Sequence, residues 1–127
     1  MKLSIYSLLA TALLITANTT ADLALLAANH VIHSYPGLTP PASLLALTRQ
    51  GKVGGIILFG ENVDDNLPSV VASFQTAYAE SPGNNGLPIL ILTDQEGGQV
   101  RRLPGGPESS AKEVGESADP SAAASQA

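Results

Sequence analysis

The sequence predicts an α/β fold with parallel strands, and three observations carry that expectation. Segments with helical apolar spacing alternate with short apolar runs of strand length, an order that implies parallel pairing through right-handed crossovers. The runs at Val53 to Phe59 (VGGIILF) and Leu87 to Leu92 (LPILIL) are nearly unbroken, as suits strands covered on both faces. Each then turns polar at once: Gly60-Glu61-Asn62 follows the first, and Thr93-Asp94-Gln95-Glu96 the second. In parallel α/β proteins functional groups collect just beyond the carboxyl ends of strands, so these clusters are where chemistry is expected.

Residues 1–21 read as a secretory signal. Lys2 supplies the charged start, 8–17 (LLATALLITA) is the apolar core, and Thr19-Thr20-Ala21 is a small-residue cleavage site. That core is shorter than the roughly 20 apolar residues that span a bilayer. No stable membrane insertion is therefore expected. Asp22 can cap a first helix, DLALLAANH, with Leu23, Leu26 and Ala27 on its apolar side. His30 to Tyr35 (HVIHSY) reads as a strand ended by Pro36-Gly37. His30 and His33 cannot share a face of a period-two element, so they form no metal pair.

Thr39-Pro40-Pro41 marks the start of a second helix with Leu44, Leu45 and Leu47 as its apolar side. Arg49 and Lys52 suit the negative end of its dipole, and Gly51 its cap. After the strand at Val53 to Phe59, one of Asp64, Asp65 or Asn66 caps a third helix with Pro68 in its first turn. Leu67, Val70, Val71, Phe74, Ala77 and Tyr78 recur there at helical spacing. Ser81 to Gly86 (SPGNNG) loops into the last strand, and Gly97-Gly98 lets the backbone turn sharply after it. Glu108 to Ser117 (ESSAKEVGES) taken alone reads as a flexible tail, and Ala118-Asp119-Pro120-Ser121 as a new helix start.

Composition narrows the function. The 127 residues are 44% hydrophobic with a formal net charge of -5 and no cysteine, which excludes a disulfide scaffold, a zinc-cysteine site and a thiol nucleophile. Arg101-Arg102 is the one basic doublet, so a nucleic-acid partner is not expected. Neither GxGxxG nor GxxxxGK[ST] occurs, and no cofactor is expected.

Two segments together, GGIILFGENV (Gly54 to Val63) and PILILTDQEGGQVRRLPGGP (Pro88 to Pro107), resemble the amino-terminal domain of glycoside hydrolase family 3, in particular its β-N-acetylhexosaminidase branch. That branch carries a GGxILF strand followed by an asparagine, then a D-[QE]-E-G-G-x-V-x-R segment, and here Asp94, Glu96, Gly97, Gly98, Val100 and Arg102 stand in place. The resemblance implies a TIM-type (β/α)8 barrel, of which this chain would hold roughly the first three β/α units. Residues 22–127 would then be an amino-terminal portion, incomplete at its carboxyl end, since a closed barrel takes about 250 residues. Three parallel strands leave two unpaired edges, so the isolated chain is expected to be marginally stable or unfolded.

The resemblance further implies a secreted O-glycosyl hydrolase that cleaves β-linked N-acetylglucosaminides or related glycosides with retention. Asp94 and Arg102 would bind substrate, while Glu96, Gly97 and Gly98 would shape the loop. For Glu61 and Asn62, at the end of the preceding strand, loop capping is favoured over sugar contact. Such hydrolysis uses a carboxylate nucleophile and an acid/base. In the family the nucleophilic aspartate lies far downstream and the acid/base histidine in a KHFPGHG-like loop, and neither segment occurs in this sequence. No catalytic residue is assigned, and the chain alone is expected to be inactive. The alternatives are a non-catalytic glycan-binding module, an inactive truncated product, and an unrelated parallel α/β protein with a chance match. In the bland reading of Asp94, Glu96 and Arg102 they form a local ion pair that steadies the loop.

Overall fold

The structure is a computed structural model that describes residues 23–82, 84–117, 119, 121 and 125. The secretory signal, the Asp22 cap and most of the helix start at 118–124 lie outside the described residues. Helical residues 23–28 (α1) lead to β1 (Ile32–His33), α2 (Ala42–Arg49), β2 (Gly55–Leu58), a 3-10 turn (Gly60–Asn62), α3 (Leu67–Ala79) and β3 (Leu90–Thr93). Then come β4 (Gln95–Gly97), β5 (Val100–Arg101) and α4 (Ala111–Glu116).

β1, β2 and β3 form one parallel sheet in chain order, with Gly55 to Leu58 paired to Leu90 to Thr93 and Ile32-His33 to Gly55-Ile56. β4 and β5 form a separate antiparallel ribbon. This corrects the expected partial TIM-type barrel. The described residues make a small open α/β unit, a three-stranded sheet with an appended ribbon. Alternation of helix and strand dictates parallel pairing, but it says nothing about closure, which entered through the resemblance alone. The strands are also shorter than expected, because His30-Val31, Val53-Gly54 and Leu87 to Ile89 lie outside the ladders.

The core is one-sided. Ile56 and Leu58 of β2 pack with Leu44 of α2, Val70 and Phe74 of α3, Tyr35, Val53 and Ile89, and the Tyr35 and Phe74 rings lie 5.9 Å apart. Full burial of a side chain such as Phe74 stabilises by about 1.5–3 kcal/mol. The opposite sheet face, with Ile32, Leu90 and Leu92, is exposed. β3 therefore alternates along its length and is not buried on both faces as its unbroken apolar run suggests. Leu23 and Leu26 of α1 and Leu47 of α2 are exposed as well, and Thr48, bonded through its hydroxyl to the Leu44 carbonyl at 2.9 Å, is buried in place of Leu47.

Backbone bonding explains where the helices stop. Gly51, at φ +71°, follows α2; its N–H donates to the Thr48 carbonyl and the Lys52 N–H to the Leu47 carbonyl, the paired bonds of a glycine C-cap. Arg49 at that end reaches Glu80 just past α3 at 3.1 Å, an exposed pair of little energetic weight. On α3, Gln75 takes the place of a strand partner for Ile89: its Nε2 donates to the Ile89 carbonyl at 3.1 Å and its Oε1 accepts from the Ile89 N–H at 3.0 Å. Asn66 stands at the N-cap of α3 with no side-chain cap bond, and Asp64 accepts from the Asn66 N–H. The expected flexible tail is in part α4, started by a capping box in which Ser110 and Glu113 bond reciprocally.

Candidate functional site

The carboxyl ends of β2 and β3 are tied together by the Thr93 hydroxyl, which donates to the Leu58 carbonyl at 3.0 Å. Past these ends the chain leaves β2 at Phe59 and β3 at Asp94. Asn62, fully buried, fixes the first exit. Its Nδ2 donates to the Tyr35 carbonyl at 2.9 Å and the Gly37 carbonyl at 2.7 Å, and its Oδ1 accepts from the Phe59 N–H at 2.7 Å. Asn62 thus spends its amide on the β1 and β2 exits, the loop-capping role its position predicts. Glu61 is exposed and accepts a long bond from the Gly37 N–H.

The second exit is a ribbon instead of the expected loop. Gln95 pairs with Arg101 and Gly97 with Val100, which leaves Glu96 as the extra, exposed residue of a bulge. Gly97 turns with φ +80° and is buried so closely beneath Ser109 that a Cβ would overlap the Ser109 carbonyl, so only glycine fits. Gln95 holds the segment after β5. Its Oε1 accepts from the Arg102 N–H at 2.8 Å and the Leu103 N–H at 3.0 Å, while its Nε2 donates to the Leu103 and Gly106 carbonyls, both at 3.1 Å. All four hydrogen-bonding positions of that amide are filled. Its role was not read from the sequence; the available signal was an amide set between two acids beside a proline- and glycine-rich turn.

Antiparallel pairing of Gln95 with Arg101 carries Asp94 and Arg102 to the same end of the ribbon, one residue beyond that pair. The structure brings these two sequence-predicted residues together there, both half-buried. Among the described residues, neither the Asp94 carboxylate nor the Arg102 Nη1 and Nη2 groups bond to the protein, and none of these atoms is shut away from solvent. The local ion pair is thus not formed: the side-chain pairs present join Arg49 to Glu80 and Lys112 to Glu116. The adjacent Arg101 is committed, its Nη2 donating to the Gly105 carbonyl at 2.8 Å. Arg102 lies with its guanidinium carbon 6.0 Å from the centre of the Phe59 ring, and its Nε is buried without a hydrogen-bond partner. A free carboxylate beside a free guanidinium edge can accept from and donate to one polyhydroxylated ligand.

A concavity of about 540 Å³ lies between the ribbon and α4 and is lined by Glu96, Gly98, Val100, Ser110, Lys112 and Glu113 among others. Neither Asp94 nor Arg102 lines it. Much of its polar lining is already engaged, since Glu113 is bound to Ser110 and Lys112 reaches Glu116 at 3.9 Å. The ribbon end with uncommitted groups is the better candidate. Among the described residues, no group of three or more His, Cys, Asp or Glu side chains could hold a metal ion.

No protein-family model matches the chain. It is 59% identical over 106 residues to a protein named uncharacterized secreted glycosyl hydrolase from Arthroderma benhamiae, a stretch covering 84% of this chain and 30% of that one. It is 39% identical over 67 residues to beta-hexosaminidase A of Pseudoalteromonas piscicida, covering 51% of this chain and 11% of that protein. Among solved structures it matches, with TM-score 0.53 and 29% identity over 60% of this chain and 9% of the other, a fungal multi-domain GH3 β-N-acetylglucosaminidase described as containing a GCN5-related glucosamine N-acetyltransferase region. That description names an acetyltransferase region and no barrel, so the likeness does not restore the barrel reading. The named relatives make the chain glycosyl hydrolase-like. Within that class, the chain resembles a stretch of the β-N-acetylhexosaminidases of glycoside hydrolase family 3. The chain spans less than a third of the length of either of these curated relatives. Among the described residues no helix is long and apolar enough to cross a membrane.

Proposed function

We propose that this chain supplies sugar-holding groups of a secreted, retaining glycoside hydrolase that acts on β-linked N-acetylglucosaminides or related glycosides. Residues 1–21 serve as its signal peptide, and Asp94 and Arg102 are its substrate-binding residues. The observation that supports the reading is the pair itself: a carboxylate and an outer guanidinium edge at one ribbon end, neither with a hydrogen-bond or ionic partner among the described residues. A pyranose presents adjacent hydroxyls that donate to a carboxylate and accept from a guanidinium, and bonds to charged groups are stronger than neutral ones. Asp94 accepts hydrogen bonds from the ring hydroxyls, and Arg102 donates to their lone pairs. No group of this chain is assigned as nucleophile or acid/base. The chain's part is to hold and orient the sugar, which is itself a large share of a glycosidase's work.

Calorimetry of the full chain with N-acetylglucosamine tests this. Saturable binding is expected, abolished by Asp94→Ala and weakened about tenfold by Arg102→Lys, which keeps the charge and loses the fork. Absence of binding, or binding indifferent to Asp94→Ala, overturns the reading.

A further inference from the structure

We infer that Phe59 is the positioning residue for Arg102: its ring covers the inner, Nε edge of the guanidinium, so that only the outer Nη1–Nη2 edge is offered to a ligand. The inference deepens the sugar-binding reading, on which it rests. An arginine can present either of two forks, one using Nε with one Nη and the other using both Nη groups. Here the choice is already made within the protein. Nε is buried with no hydrogen-bond acceptor, while Nη1 and Nη2 are neither buried nor bonded among the described residues. A buried N–H without an acceptor is costly unless something compensates. The nearby group that can do so is the Phe59 face, 6.0 Å from the guanidinium carbon, whose negative quadrupole attracts a cation.

Phe59 can hold this post because its own backbone is fixed. The Phe59 N–H donates to buried Asn62 at 2.7 Å, and the ring leaves β2 at the carboxyl end of the sheet. Arg102 is fixed from the other side by the bond of its N–H to Gln95 at 2.8 Å. The guanidinium is thus set between anchors on two separate sheets. One outer edge presented end-on suits two neighbouring acceptor oxygens, such as the hydroxyl oxygens on adjacent carbons of a sugar ring. The inner fork, one of the two routes to bidentate pairing with a carboxylate, is unavailable.

The test combines nitrogen-15 NMR of the arginine side chains with calorimetry on the full chain. The Arg102 Nε–H signal should be shifted by the ring current and exchange with water at least tenfold more slowly than that of exposed Arg101. Phe59→Leu, which keeps much of the bulk and removes the ring, should abolish both signatures and weaken N-acetylglucosamine binding about two- to fivefold. Phe59→Tyr, which keeps the ring face, should restore them. An Arg102 Nε–H that exchanges as fast as that of Arg101 in the unaltered chain overturns the inference, even if Phe59→Leu fails to fold. Loss of sugar binding in the unaltered chain with the NMR signatures intact overturns the sugar reading and leaves the positioning of Arg102 standing.

Discussion

At the scale of single residues, two side-chain amides organise the site without touching a ligand. Asn62 joins the β1 and β2 exits through three hydrogen bonds at zero exposure, and Gln95 joins the ribbon to residues 102–106 through four. Removing Asn62 costs more than the bonds it made, because the Tyr35 carbonyl stays buried and unsatisfied. Asn62→Ala leaves the Tyr35 and Gly37 carbonyls and the Phe59 N–H without their partner and opens a small void. A loss of about 2–4 kcal/mol is expected, read as a lowered urea midpoint at unchanged slope. A variant that unfolds at the same urea concentration as the parent would show that the amide is not a structural tie. The same scale marks a limit of the sequence. Arg101 and Arg102 are adjacent and identical in type, and periodicity cannot tell them apart. The resemblance pointed to Arg102, and the hydrogen bond from Arg101 to Gly105 now gives the physical difference: one guanidinium is spent on the protein and its neighbour is open.

At the scale of elements, α2 and α3 were legible because helical spacing over eight and thirteen residues is a redundant signal, punctuated by Pro41, Gly51 and Pro68. The ribbon was not legible. Strands of three and two residues are too short to show a period, and what holds them is the Gln95 side chain and the tight turn at Gly97-Gly98. α4 was missed although its start is written plainly, as Ser110 followed three residues later by Glu113. That capping box makes α4 sensitive to acid. Hydrogen bonds from the Ser110 backbone N–H, and then from its hydroxyl, hold the Glu113 carboxyl below its ordinary value of 4.5. A carboxyl with a depressed folded value contributes stability that is present above its unfolded value and lost as pH falls through the folded one. The amides of the first turn of α4 should therefore lose hydrogen-exchange protection below about pH 4.5, with the rest of the chain unaffected at the onset. Glu113→Gln should remove that pH dependence, and a first turn equally protected at pH 3 and pH 6 would contradict the capping role.

At the scale of the whole molecule, the sheet is covered on one face only. Both crossovers, through α2 and α3, deliver their helices to the side of Ile56 and Leu58, as right-handed connections between successive parallel strands require. An unbroken apolar run cannot report this, because a strand with one side covered and one side bare can be as hydrophobic as a strand with both sides covered. The bare side carries Ile32, Leu92 and Leu90, the last 60% exposed, and β3 is also an edge of the sheet. An apolar face that continues to an edge with unpaired backbone groups favours association through that edge, and the net charge of -5 opposes it only weakly over so short a strand. Leu90→Lys places a cation at this edge, the device by which edge strands are kept apart. Because Leu90 gives up little buried area, its replacement should shift the unfolding free energy by no more than about 0.5 kcal/mol. Light scattering of concentrated chain should fall markedly, while the same substitution at Ile56, on the covered face, should unfold the protein. Scattering that persists unchanged in Leu90→Lys would mean that association, if present, runs through another surface, with the exposed Leu23 and Leu26 of α1 the next to be replaced.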